Sequence, residues 1–213
     1  ELRTPLAVVR SGLESVEKCS NEEERNHFLH LMSEETVHMK RLIDDMLLLA
    51  NSDADTLTIK PEACQPDLLL LDTYEKFEPL AKKNGLHLIL TLPEEILPDC
   101  FCDIHRTEQI FSIIVDNALC YTPSGGKVTL SCHAENEMLC FLFEDTGCGI
   151  SEEKKSHIFE RFYRADDAHT DREHFGLGLC IAKELTEKQN GNIQVVDAPI
   201  SGSCFMVQLP CAL

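Results

Sequence analysis

Glu144-Asp145-Thr146-Gly147-Cys148-Gly149-Ile150 is the stretch on which the reading of this 213-residue chain turns. It follows Met138 to Phe143, where Leu139, Phe141 and Phe143 alternate with Cys140 and Leu142, a composition that predicts a strand buried on both faces. Such a strand ends by presenting Asp145 at its tip. Gly147 and Gly149, two apart, let the backbone turn where a side chain would collide, so that a flat ligand can lie against the main chain. The same residues also suit an ordinary turn, and the flanking sequence has to separate the two.

Composition narrows the field first. A hydrophobic content of 43% over 213 residues is ample for one or two packed domains. With 19 basic against 37 acidic residues the formal charge is −18, which repels a phosphate backbone, so nucleic acid is not expected as a partner. The 11 cysteines contain no C-x-x-C pair, and an odd, scattered set fits a reducing compartment better than a disulfide framework. Cys100, Cys102 and His105 are the tightest metal-like grouping, with Cys132 and His133 as possible recruits. Four ligands at a recognised spacing are missing, and Cys100 and Cys102 read most simply as small apolar residues on one face of a short strand. No apolar run approaches the ~20 residues of a membrane span. There is no signal peptide pattern either. The chain opens at Glu1 inside a helical pattern and reads as a soluble piece of something longer, without direct membrane contact.

Leu2, Leu6, Val9, Leu13 and Val16 step by four and three, the seam of a coiled coil or bundle. Ser20 followed by Glu23 is a capping-box pattern, and Phe28, Met32, Glu35, Met39, Leu42, Met46 and Leu49 then continue the stepping to about Ala50. Two such helices joined by a tight turn make an antiparallel hairpin over residues 1–52. It is too slight to close a core alone. Doubling across a two-fold axis into a four-helix bundle buries both stripes; packing on the rest of the chain is the alternative.

Residues 51–55 are polar and mark a boundary, after which strands and helices alternate over residues 56–213. The expected order is a strand at 57–60 and a helix at 67–84 ended by Gly85. Strands at 87–92 and 100–102, a helix at 104–120 and a hairpin turning at 135–137 follow. A helix at 176–189 and strands at 192–196 and 204–209 complete the set. Helices beside a mostly antiparallel sheet make an α+β sandwich.

Three stretches of this second region carry chemistry. Asp116-Asn117-Ala118 sits on a helix whose apolar face is Ile110, Ile113, Ile114 and Leu119, which points Asn117 toward a cleft as a hard-oxygen ligand suited to magnesium. Asp145 is the second. The third is Phe175-Gly176-Leu177-Gly178-Leu179, where glycines at a helix start expose amide donors at the positive end of the dipole. Between them, Ser156 to Glu173 holds Phe159, Phe162, Tyr163 and Arg164 in a long polar loop of the kind a lid needs.

In this order the stretches resemble the core of a sensor histidine kinase of two-component signalling. Glu1 to Leu6 resembles the tail of that family's phosphoacceptor box, and Asn117, Ala118, Tyr121 and Thr122 its N box. Asp145-x-Gly147-x-Gly149 resembles the first glycine box, Phe159 to Phe162 the F box, and Gly176 to Leu179 the second glycine box. The resemblance implies a dimerisation and phosphotransfer hairpin followed by an α/β-sandwich ATP-binding domain of the Bergerat type, shared with gyrase and Hsp90. It implies ATP and Mg²⁺ as cofactors, a homodimer, a response-regulator receiver domain as partner, and a place on the cytoplasmic side of a bacterial membrane sensor.

Carried over by position, Asp145 accepts the adenine amino group, Gly147 and Gly149 admit the base, and Ile150 follows in the same box. Asn117 holds Mg²⁺ and Tyr121 flanks the nucleotide. Gly176, Leu177, Gly178 and Leu179 offer amides to the phosphates, and Arg164 approaches the γ-phosphate. Glu1 is the general base beside a phosphoacceptor histidine expected immediately before it, and Thr4 orients water for phosphatase action on the regulator. Without resemblance, Thr4-Pro5 reads as a helix cap.

The departures are Ile113, where the family keeps a second Asn and the related ATPases a general-base Glu, Cys120 in place of a basic residue, and His174 in place of Gly. Ile113 disfavours ATP hydrolysis of the gyrase type, while Cys120 and His174 weaken the match at the phosphates and leave open a catalytically weak dimeric nucleotide-binding module. His27, His30 and His38 lie on the second helix and do not match the acceptor position.

Overall fold

The computed structural model describes residues 2–19, 21–164, 175–199 and 201–212. The chain divides into two compact units, one of residues up to Leu57 and the other holding the sheet and helices from Thr58 onward.

The first unit is a hairpin of α1, Arg3–Lys18, and α2, Glu22–Asp53. The side chain of Asn21 accepts from the Glu23 N–H at 2.9 Å and caps α2, while Glu22, Glu23 and Glu24 set negative charge at the positive end of the dipole. Ser20, expected as the cap, lies outside the described residues. Gly12 is buried in the hairpin, where an added Cβ would lie 2.6 Å from Met32 Cγ, so the two helices meet closely at that level. The seam divides. Met32, Leu42 and Leu49 are buried, whereas Leu6 and Leu13 remain 58% and 54% exposed.

The second unit opens with β1, Glu62–Cys64, and α3, Pro66–Lys83, then β2, His87–Thr91, and β3, Cys100–Cys102. Next come α4, Ile104–Tyr121, and the hairpin of β4, Lys127–Glu135, and β5, Met138–Asp145. A four-residue α5, Glu152–Lys155, is followed by α6, Gly178–Glu187, β6, Asn192–Asp197, and β7, Ser203–Pro210. The first strand is therefore at 62–64, not 57–60. Pro61 has no N–H to give a ladder, and the Lys60 N–H is used by Asp103 Oδ2 at 2.9 Å.

The main sheet runs β2-β4-β5-β7-β6, parallel at β2–β4 and antiparallel elsewhere, and β1 pairs with β3 in a separate two-stranded sheet. Asn136 and Glu137 both have positive φ, the signature of a tight hairpin turn whose twist matches its strands. β5 is central. Its Leu139, Phe141, Phe143 and Asp145 form one buried row, while on the other face Cys140 is buried and Met138, Leu142 and Glu144 are partly covered. Burial on both faces was expected; it holds at Cys140, while the two-layer sandwich leaves Leu142 and Glu144 of that face partly covered. On the covered face Phe111 of α4 meets Phe141 and Phe143 with ring centroids 4.8 and 5.0 Å apart, the tilted packing aromatic quadrupoles favour. Among the described residues no helix is long and apolar enough to cross a membrane.

Candidate functional site

Asp145 is the last member of the buried β5 row, so alternation alone sets its carboxylate on the helix-covered side. Only 5% of the residue is exposed. Its Oδ1 accepts from the Gly147 N–H at 2.7 Å, and the Ser203 backbone N–H also donates to the carboxylate. Burial lifts its pKa above the ordinary carboxylate value, against those two amides. A carboxylate held by amides of its own chain keeps lone pairs for a donor arriving from the cleft.

Two glycines make the approach possible. A Cβ on Gly147 would stand 2.5 Å from the Tyr121 carbonyl oxygen, so the end of α4 lies directly on the turn after β5. Gly202 has φ +90°, and a Cβ there would fall 2.1 Å from the Asp145 carbonyl oxygen. Gly202 and Ser203 belong to the site, and motif reading missed them; the Ser201-Gly202-Ser203 turn before the last strand was the only signal. Thr146 fastens the same corner, its Oγ1 accepting from the Lys127 N–H at 2.9 Å.

α4 carries the next group. Asn117 is half-buried and its Nδ2 donates to the Ile113 carbonyl at 2.8 Å, so its oxygen is the atom it offers outward. A Cβ built on Gly178 would lie 3.2 Å from Ile113 Cγ2, which sets the start of α6 beside the turn of α4 that bears Asn117. No side chain caps α6 among the described residues, and the leading amides of Gly178 and Leu179 sit at the positive end of its dipole. Leu177 is buried just before it. The helix was expected from Gly176; it begins two residues later because Gly176 has φ +72° and pairs elsewhere.

That pairing is with Phe162, whose N–H donates to the Gly176 carbonyl at 2.9 Å. Phe162 itself sits at φ 63°, a conformation an aromatic residue adopts only when its surroundings hold it there. The two stems of the expected lid are thus joined at their base, and Phe159 rests edge-on against Phe205 with centroids 6.4 Å apart. Arg164 is exposed. The lid residues 165–173 and His174 lie outside the described residues, as does Glu1.

The structure therefore brings Asp145, Gly147 and Tyr121 together at one corner, and Asn117 to the level of Gly178 at another. Gly149 and Ile150, half-buried, continue the turn after β5. Thr4 is exposed in the first turn of α1, in the other unit; Leu2 holds the cap position, so Thr4 is not the cap. His105, grouped with Cys100 and Cys102 from sequence, has its side chain 94% exposed beside Glu108 and leaves that group.

A mixed sheet with a carboxylate at the tip of its central strand, covered on one side by helices, makes an α/β sandwich that follows a helical hairpin in the sequence. Residues 102–213 match the family model described as histidine kinase-, DNA gyrase B-, and HSP90-like ATPase, and residues 1–55 match the His Kinase A (phospho-acceptor) domain. The chain belongs to that ATPase family and, with the phospho-acceptor domain before it, is a sensor histidine kinase core.

Among curated relatives, the adaptive-response sensory kinase SasA of Rippkaea orientalis is 31% identical over 99% of this chain and 55% of its own length. The chain thus spans about half of that relative. Among solved structures, full-length ShkA in complex with AMPPNP has a TM-score of 0.77 at 26% identity, covering 99% of this chain and 44% of that one. The histidine kinase ThkA in complex with the response regulator protein TrrA also superposes with a TM-score of 0.77, at 18% identity over 99% of this chain and 58% of that one.

Proposed function

We propose that this core binds Mg-ATP at the Asp145 corner and transfers the γ-phosphate to a histidine immediately before Glu1, from which it passes to an aspartate of a response regulator. The observation that carries the reading is the buried Asp145 carboxylate, held by the Gly147 and Ser203 amides with Gly147 and Gly202 packed against its Oδ1. An adenine amino group supplies the donor such an acceptor lacks, and Gly147 lets the end of α4 close directly on the turn that holds it. The complex of ShkA with AMPPNP supports nucleotide binding by this fold.

Asn117 fits a magnesium ligand because its amide nitrogen is occupied by Ile113, which orients the oxygen a hard cation takes. Bound Mg²⁺ supplies neutralisation of phosphate charge during transfer. Tyr121 flanks the nucleotide, Gly176, Leu177, Gly178 and Leu179 present amides to the phosphates, and Arg164 pairs phosphate oxygens from the lid with its planar fork. Glu1 draws the proton from the attacking imidazole. Ile113 cannot activate water, which disfavours wasteful hydrolysis of the gyrase kind.

The hairpin doubles into a homodimeric bundle and docks the regulator's receiver domain; the ThkA complex with TrrA supports such a partner. Thr4, exposed one turn beyond the acceptor position, serves the reverse reaction by orienting water against the regulator's phosphate. The test is label transfer from γ-labelled ATP to a chain extended upstream through the histidine. Label on that histidine, lost in Asp145→Asn, is the expected result. Metal-dependent AMPPNP binding with no label would leave a nucleotide-binding signalling module instead, the reading to which Cys120 and His174 point.

A further inference from the structure

The pairing of β1 with β3 sets Cys64 opposite Cys100, and Cys102 follows on the same face of β3. Three thiols from two short strands thereby converge, with all three sulfurs within 4.8 Å of one another and Cys64 Sγ 3.4 Å from Cys102 Sγ. We infer that Cys64, Cys100 and Cys102 form a binding site for one thiophilic closed-shell cation, Zn²⁺ or Cu⁺, held by three thiolates. An ion about 2.3 Å from each sulfur needs the sulfurs roughly 4 Å apart, so the cluster reaches this geometry with small side-chain rotations.

The surroundings suit an ion. Cys100 and Cys102 are fully buried, while Cys64 is half-buried and gives the cation a way in from solvent. Asp99 and Asp103 add negative potential beside the thiols. Asp103 is not itself a ligand, since its two oxygens accept from the Lys60 and Arg106 backbone N–H groups. An all-sulfur set selects soft ions over magnesium and calcium, so the site does not compete for Mg²⁺. Three sulfurs satisfy Cu⁺, and for Zn²⁺ solvent at the Cys64 side completes four.

The ion has a structural consequence. A two-stranded sheet of three-residue strands is marginal alone, and a shared ligand set clamps β1, the first strand after the hairpin, to β3.

The fully reduced 213-residue chain is titrated with Zn²⁺ and, anaerobically, with Cu⁺, each against a chromophoric chelator. One tight equivalent, release of more than one proton, and X-ray absorption showing three sulfur neighbours are expected; the arm that outcompetes its chelator identifies the ion. Cys64→Ser weakens binding at least 100-fold, while Cys148→Ser, at an exposed cysteine, leaves it unchanged. Equal affinity in Cys64→Ser, a nitrogen-dominated shell, or no tight equivalent in either arm overturns the proposal. Should Cys64→Ser lose its fold, protection of Cys64 from iodoacetamide in the unsubstituted chain decides: protection by one equivalent supports the site, and unchanged alkylation removes it.

Discussion

At Gly202 two constraints meet in one residue: a φ of +90° and a neighbouring Asp145 carbonyl oxygen only 2.1 Å from where a Cβ would stand. Alanine there must push β7 away from the tip of β5. Gly202→Ala is therefore expected to lower affinity for AMPPNP at least tenfold and stability by about 2 kcal/mol or more, measured by calorimetric titration and denaturant melts. Asp145 adds a pH signature. Because burial raises its folded pKa, the stability its protonated form confers is present below the unfolded pKa and lost as pH rises through the folded one. Asp145→Asn should thus leave the nucleotide-free chain as stable as the parent at pH 7.5, or slightly more so, while removing the stabilisation that AMPPNP gives. A melting temperature several degrees lower without nucleotide would contradict this. Nucleotide affinity of the parent should weaken on acidification earlier than an ordinary aspartate would dictate.

Within single elements the sequence was readable wherever the signal was local. Gly85 following α3, the apolar rows of β5 and the glycines after Asp145 all announce themselves over a few residues. What escaped depended on partners far along the chain. Cys64 joins Cys100 only through strand pairing, β1 was displaced because Leu57-Thr58-Ile59-Lys60 alternates like a strand ahead of Pro61, and Ser203 reaches Asp145 across the sheet. One element-level prediction concerns α2. Asp45 is partly buried there, and burial, then the charge of Asp44, raise its pKa to about 6 against the pull of Arg41. Ionising it costs the folded helix, so stability falls as pH rises from about 4 toward 6 and stays lower above. Asp45→Asn should raise the hairpin's stability at pH 7.5 by about 1 kcal/mol, after discounting for solvent screening at a partly exposed site, and should leave it unchanged near pH 3.5. Thermal melts at the two pH values check both.

For the molecule as a whole, the apolar stripe left outward on the hairpin and a formal charge of −18 act in opposition. Association of two hairpins across that stripe would bury Leu6 and Leu13, and added salt would screen the repulsion between copies. Light scattering should find twice the 24.0 kDa chain mass, with the dimer strengthened between low and moderate salt. The double variant Leu6→Lys, Leu13→Lys should be monomeric with its circular dichroism retained; a persistent dimer would place the seam elsewhere.

The order of the sheet also sets a schedule for synthesis. β5 and its aspartate leave the ribosome long before β7, yet β7 is the strand that pairs along β5 and delivers Gly202 and Ser203 to the carboxylate. A nascent chain paused after β6 has every earlier motif and an unfinished pocket, with the edge of β5 open to other strands. A nucleotide that needs the finished corner would therefore stabilise only chains in which β7 has already paired along β5.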